Sequence, residues 1–311
     1  MKKRIAIVLS GIIVVVLGRG FFFYSGFYNP PPGNIPDYAS IVIPSAPSGE
    51  FTDNHITGEG VILIDLAHDN NFDVKELNVL MSRLISRGLT IEFLDEKDDL
   101  KEELLGEKEE EEELESEPSG NGEGEEQEVV SSGEKTGDEE EEELPGAFII
   151  VSPWSDFSKD DKKTINEFID NGGKLLLIAD PTKRNNVNGI SLEFGLIFES
   201  GYLYNMKEND INYRNIFVTR FKDDEVTKNL KKIALYIAGS ISSADNGIAF
   251  IDENTFSSVI ESRNGLSPIA LAKESKVLAV YDLTFMTEPY NGALDNNQLI
   301  SNIADWLMPN N

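Results

Sequence analysis

Val61-Ile62-Leu63-Ile64-Asp65-Leu66-Ala67-His68 opens the folded part of the chain and decides how the rest is read. Four consecutive apolar residues ending in a carboxylate describe a strand buried on both faces and polar only at its tip. Strands of that kind belong to parallel sheets covered by helices. Asp73 stands three residues before Glu76, the spacing of a capping box, and Leu77, Leu80, Met81, Leu84 and Ile85 then recur at helical spacing until Gly88. Thr90 to Leu94 is a second strand. Beyond a long acidic stretch the same alternation resumes. Phe148 to Val151 reads as a strand, Ser158 caps a helix that buries Ile165, Phe168 and Ile169, Gly172-Gly173 ends it, and Lys174 to Ala179 is another strand. Late in the chain Lys276 to Tyr281 forms a strand. Asp295, with Gln298 three residues on, caps a final helix that buries Leu299, Ile300, Ile303 and Leu307. Strand–helix–strand units repeated in this way predict an α/β domain with a mostly parallel sheet, right-handed crossovers and helices on both faces. Residues 185–245 show no clear period and read as short strands and loops.

The chain has 311 residues, 40% of them hydrophobic, enough for one substantial core. Its formal charge of −29 is concentrated: residues 95–143 hold 25 acidic and 4 basic side chains, a net of −21, leaving −8 for everything else. Unbroken runs at Glu109–Glu113 and Glu139–Glu143 repel one another and offer almost nothing to bury, so residues 96–145 read as a disordered acidic insert within the domain. Long surface insertions add little closure entropy, so the fold can carry it. No Lys/Arg stripe suited to phosphate backbones lies outside the first few residues, which excludes nucleic acid as a partner. The absence of cysteine excludes disulfides, thiolate zinc sites and thiol nucleophiles.

Met1-Lys2-Lys3-Arg4 precedes an apolar run from Ile5 to Leu17, followed by Arg19 and the aromatic cluster Phe21-Phe22-Phe23-Tyr24 and Phe27-Tyr28. Residues 1–28 therefore predict a single membrane-spanning helix, with its basic end inside and the remaining chain outside. A cleaved signal peptide is the competing reading, and it also places the domain outside the cytoplasm. Residues 29–58, with Pro30, Pro31, Pro32, Pro36, Pro44 and Pro47, read as an extended tether that includes His55, and residues 59–310 as one α/β domain.

Open parallel sheets bind ligands beyond the carboxyl ends of their strands. Asp65, Ser152, Asp180 and Asp282 each follow an apolar strand, and His68, Asp69, Asn70 and Asn71 lie in the loop after the first. If the strands are neighbours, these side chains share one rim, able to bind a polar ligand or a divalent cation through oxygen atoms. Asp and Asn at strand ends also make turns and cap helices, so each has a purely structural reading. No Gly-x-Ser-x-Gly elbow, Walker loop, His-Glu-x-x-His or dinucleotide fingerprint is present.

Val61 to His68, Phe148 to Pro153, Gly172-Gly173-Lys174-Leu175-Leu176-Leu177-Ile178-Ala179-Asp180-Pro181, and Asp282 through Asp295-Asn296 to Trp306-Leu307 together resemble an uncharacterised prokaryotic family of membrane-anchored domains. That family is related to gliding-motility and ABC-transport auxiliary domains and, more distantly, to class I glutamine amidotransferases. The resemblance implies a flavodoxin-like, amidotransferase-type sheet. In the amidotransferases a nucleophilic cysteine follows the strand that here runs Leu175 to Ala179. Asp180-Pro181 stands in that region, which excludes glutamine hydrolysis. The sequence-level expectation is therefore a non-enzymatic extracytoplasmic module with no resident cofactor. It would serve as an auxiliary subunit of a transport or cell-envelope complex or as a sugar-binding domain. The rival is a metal-assisted or carboxylate/His hydrolase built on Asp65, His68, Asp180 and Asp282.

Overall fold

The computed structural model describes residues 2–24, 51–106, 143–243, 245–261 and 265–309. Of the tether expected over 29–58, residues 29–50 lie outside the described residues, as do residues 107–142 of the acidic insert expected over 96–145. In chain order the elements are α1 (Lys2–Tyr24), β1 (Val61–Asp65), α2 (Asn78–Ser86), β2 (Thr90–Leu94), α3 (Leu100–Leu105), β3 (Pro145–Val151), α4 (Lys159–Asp170), β4 (Lys174–Ile178) and α5 (Asn188–Ser191). There follow β5 (Ile197–Phe198), β6 (Leu203–Asn205), β7 (Asn215–Val218), β8 (Arg220–Phe221), β9 (Ile233–Tyr236), β10 (Ile241–Ser242), β11 (Gly247–Phe250), β12 (Thr255–Ser257), β13 (Ile269–Ala272), β14 (Val277–Val280) and α6 (Asn296–Leu307).

An eight-stranded sheet runs β2-β1-β3-β4-β14-β13-β11-β8. From β2 to β14 every pairing is parallel, and from β14 to β8 every pairing is antiparallel. The period-2 alternation of strands explains how helices cover both faces. Ile62, Ile64, Ile149 and Leu176 point to one face, where they pack with Leu80 and Leu84 of α2 and Ile300, Ile303 and Leu307 of α6. Leu63, Phe148, Ile150 and Leu175 point to the other, against Leu100 and Leu104 of α3 and Ile165 and Phe168 of α4. Residues 197–257 supply three two-stranded pieces, β10-β5, β12-β6 and β7-β9.

Several boundaries differ from the sequence reading. The acidic insert was expected from residue 96, yet α3 forms there: Asp99 accepts the N–H groups of Lys101 and Glu102, Leu100 and Leu104 are buried, and Gly106 closes the helix in a left-handed conformation. Two leucines four residues apart and a proper cap outweigh the surrounding charge. Asp73 and Glu76 do make the expected capping box, but around the 3-10 turn Val74–Leu77 that leads into α2. Asp295 does not cap α6 with its side chain. Its Oδ2 instead accepts the backbone N–H groups of Lys231 and Lys232 at 2.7 and 2.9 Å.

Residues expected to be tether are bonded to the domain. Asp53 receives hydrogen bonds from Arg83 at 2.7 Å, Arg87 at 3.3 Å and the Ser301 hydroxyl at 2.6 Å. His55 Nε2 lies 3.0 Å from the Ser86 carbonyl. The chain divides into two units at residue 44, and the described residues from Phe51 onward belong to the second, so the domain begins before residue 59. In that first unit α1 has 23 residues. Among the described residues no helix is long and apolar enough to cross a membrane, so the expected spanning segment is not supported there.

Candidate functional site

Parallel neighbours in the order β1-β3-β4-β14 carry Asp65, Ser152, Asp180 and Asp282 to one end of the sheet. All four are completely buried. With strands about 4.8 Å apart, the three spacings from β1 to β14 spread them over about 14 Å. They form two clusters and do not meet at one point.

The first cluster centres on Asp65. Its Oδ1 accepts the Ala67 N–H at 3.1 Å and faces His68 Nδ1 at 2.8 Å, while Oδ2 accepts from Asn70 Nδ2 at 3.0 Å. Asn70 also donates to the Val151 carbonyl at 3.0 Å, and its own oxygen accepts the His68 N–H at 3.1 Å. The His68 ring stacks on Phe157 at 3.9 Å, and its Nε2 lies 3.9 Å from Asp161 at the start of α4. Burial pulls the imidazole pKa down. The hydrogen bond and charge of Asp65, assisted by Asp161, more than offset this and leave it above its ordinary value.

The first loop is clamped to the next. Asn71 N–H donates to the Ser152 carbonyl at 2.9 Å, and the His68 carbonyl accepts the Trp154 and Ser155 N–H groups at 2.9 and 3.1 Å. Asp69 bonds the Ser155 hydroxyl. Asp69 and Ser152 both hold left-handed backbones, with φ of 49° and 43°, a conformation that costs a non-glycine residue energy and persists only where surroundings impose it. The Ser152 hydroxyl is buried without a hydrogen-bond partner. His68 Nε2 is directed to Asp161, so Asp65, His68 and Ser152 do not form a nucleophile–base relay.

The second cluster joins β4 to β14. Asp180 Oδ2 accepts the Leu283 N–H at 3.2 Å and the Thr284 hydroxyl at 3.3 Å, and Oδ1 accepts the Thr182 N–H at 2.8 Å. Asp282 accepts the Tyr236 N–H at 2.6 Å and the Phe285 N–H at 3.4 Å. Burial, reinforced by the Asp180 charge, holds the Asp282 carboxyl well above the usual carboxylate range. Tyr281 beside it is pushed up to about 12 by burial and by Asp180. Among the described residues no group of three or more His, Asp or Glu side chains could hold a metal ion.

Sequence reasoning missed what stands above the buried carboxylates. Trp154 is 42% exposed, and the exposed Arg184 guanidinium lies over its ring at 3.7 Å. Asn71 ties this pair to the first cluster by donating to the Arg184 carbonyl at 3.1 Å. The available signal was Pro153-Trp154 directly after a strand tip, a large aromatic in a loop where burial is not required. A cleft of about 740 Å3 opens elsewhere, along α2 between Asp53-to-His55 and Thr287-to-Asn291, and contains none of the strand-end residues.

With this geometry, the chain superposes on a solved structure described as the mmIFT52 N-terminal domain, with a TM-score of 0.56, 13% identity, and coverage of 79% of this chain and 96% of that one. The two share a fold. No protein-family model and no curated protein matches the sequence. Looser superpositions include a ThuA-like protein from Parabacteroides merdae, with a TM-score of 0.38, 11% identity and coverage of 82% and 90%. Another is an exo-β-1,4-mannosidase from an Opitutaceae bacterium, with a TM-score of 0.40, 12% identity and coverage of 81% and 37%.

Proposed function

We propose that this chain is a non-enzymatic binding module, held at a membrane by α1 with its α/β domain outside the cytoplasm, and that its contact surface is the strand-end rim around Trp154. The observation that carries this reading is the division of labour at the rim. Asp65, Asp180 and Asp282 are sealed from solvent and engaged by the protein's own donors, while the Trp154–Arg184 pair stands exposed above them. Buried, satisfied carboxylates fix loops; an exposed aromatic with a stacked guanidinium is a contact group.

The strand order β2-β1-β3-β4 followed by β14 supports a flavodoxin-like reading, with β14 in the fifth place. In such sheets the crevice lies where the order reverses, between β1 and β3, and that is where Asp65, His68 and Ser152 sit. The membrane reading rests on the basic start of the chain and on α1 itself. Leu9, Ile12, Ile13, Val14, Val15 and Val16 are all about half exposed or more, an apolar surface on every side that water does not favour.

Fluorescence tests the rim directly, because the chain has two tryptophans and Trp306 is buried. The full chain in detergent micelles is titrated with a panel of hexoses and hexosamines. A photo-cross-linker placed at residue 154 in native membranes then seeks a protein partner. Saturable quenching of Trp154 that Arg184→Ala weakens identifies a sugar site, and a discrete cross-linked adduct identifies a subunit interface. If neither quenching nor an adduct is seen, the rim has no binding role and the proposal fails.

One observation favours the hydrolase alternative, the 2.8 Å contact between Asp65 and His68, which could orient an imidazole base. Turnover of p-nitrophenyl esters or glycosides that is lost in His68→Asn would establish it.

A further inference from the structure

Strand β2 departs from what a parallel sheet requires. Parallel strands are ordinarily covered on both faces. β2 is the outermost strand on its side, and although Ile91 packs on one core and Leu94 is buried in the other, Thr90, Glu92 and Phe93 are exposed, so each face is only partly covered. Outermost strands that stay unpaired carry a guard: a proline, a bulge, a lysine or a covering segment. β2 reads Thr-Ile-Glu-Phe-Leu, pairs with β1 in unbroken register, and among the described residues has none of these except the single charge of Glu92. Phe93 is 39% exposed, and on α2, which packs against β2, Ile85 is 62% exposed. The residues that follow are strongly acidic: between Asp95 and Glu103 there are six carboxylates and two lysines.

We propose that the outer edge of β2 receives an extended, basic segment of a partner protein, which extends the eight-stranded sheet by one strand. The main chain of β2 supplies the hydrogen bonds, Ile91 and Phe93 supply an apolar row on one face, and the acidic flank selects lysine or arginine over glutamate. A second copy of this chain is disfavoured, because pairing β2 with itself would bring two such flanks together. This surface is separate from the Trp154 rim and does not depend on it.

The test uses the full chain in detergent micelles and a fluorescein-labelled decapeptide of alternating lysine and valine. A lysine–proline peptide of the same charge cannot form a strand, and a glutamate–valine peptide carries the wrong sign. The lysine–valine peptide should bind at least about tenfold more tightly than either. Amide hydrogen exchange over Thr90–Leu94 should slow when it binds, and Phe93→Lys should weaken it by about tenfold. Equal binding of the lysine–proline peptide would reduce the effect to charge alone and overturn the proposal. So would exchange at β2 that is unchanged by the peptide, or that is already as slow as β1 in the free protein. If circular dichroism shows that Phe93→Lys misfolds, the exchange map on the unmodified chain decides.

Discussion

His68 Nδ1 lies 2.8 Å from Asp65 Oδ1, and both side chains are buried at the tip of β1. Burial alone would drive the imidazole below its ordinary 6.5, but the Asp65 hydrogen bond and charge, with Asp161, carry it above. A folded-state value above the unfolded one means that protonated His68 stabilises the fold. That contribution is complete below the unfolded value of 6.5 and is lost as pH rises through the folded one. The His68 ring should therefore titrate above 6.5 by NMR, and Asp65→Asn should lower its midpoint. A midpoint below 6.5 in the unmodified protein would refute the coupling.

The Asp282 carboxyl is shifted upward, so it keeps its proton to higher pH than an ordinary carboxylate. Burial and the neighbouring Asp180 hold it well above the ordinary aspartate value of 3.8. Folding then takes up a proton between 3.8 and the folded value, so the native state loses stability as pH rises through that window. Asp282→Asn keeps an acceptor for the Tyr236 N–H and removes the titration. Relative to the unmodified chain it should gain stability with rising pH, whereas Asp282→Ala should lose about 1–3 kcal/mol by orphaning that donor. Urea midpoints measured across the acid range would show whether the Asn and wild-type curves diverge; parallel curves would count against a raised carboxyl.

The α/β core was legible because its strands are unbroken apolar runs. Val61–Ile64, Phe148–Val151 and Leu175–Ile178 can be satisfied only in a covered sheet, and their polar tips fall on one edge once they run parallel. Helix α3 was obscured because charge counting over residues 95–143 outweighed Asp99, Leu100, Leu104 and Gly106, whose spacing is sufficient for a short capped helix. β5 to β12 were unreadable because strands of two to four residues give no period, and their partners are distant in the chain. At the site, sequence placed Asp65, Ser152, Asp180 and Asp282 together, but no sequence pattern tells a sealed carboxylate from one lining a cleft. Trp154 was missed because a lone aromatic has no periodicity to betray it.

Asp53 closes a buried charge network that joins the start of the domain to α2 and α6. Arg87 is fully buried and bonds Asp53, Asp305 and the Ser301 hydroxyl and carbonyl. Burial opposes ionisation of Asp53, but the hydrogen bonds from Ser301, Arg83 and Arg87 prevail and hold its carboxyl far below the usual range. Its stabilising effect is present above the unfolded value of 3.8 and is lost as pH falls below it. Asp53→Ala removes one counter-charge from a buried guanidinium that retains Asp305, so a loss of about 2–4 kcal/mol is expected near neutral pH. Denaturant unfolding measures it, and a loss under about 0.5 kcal/mol would show that the segment merely rests on the surface.

Gly239 tests the packing between the two parts of the chain that the sequence could not connect. It follows β9 and donates its N–H to the Tyr281 carbonyl at 2.9 Å, and a Cβ placed on it would collide with the Tyr281 ring. That ring cannot retreat freely: it is buried against Phe198 at 4.9 Å between centroids, and it lies at the base of the Asp282 loop. Gly239→Ala should therefore cost about 1–3 kcal/mol, the range for forcing an extra methyl into a filled core. Tyr281→Phe leaves the ring in place and should not relieve it, whereas Tyr281→Leu in the same chain should recover part of the loss. If Gly239→Ala melts with the unmodified protein, the ring has room to move, and the strand-end platform is less rigid than a fixed contact surface demands.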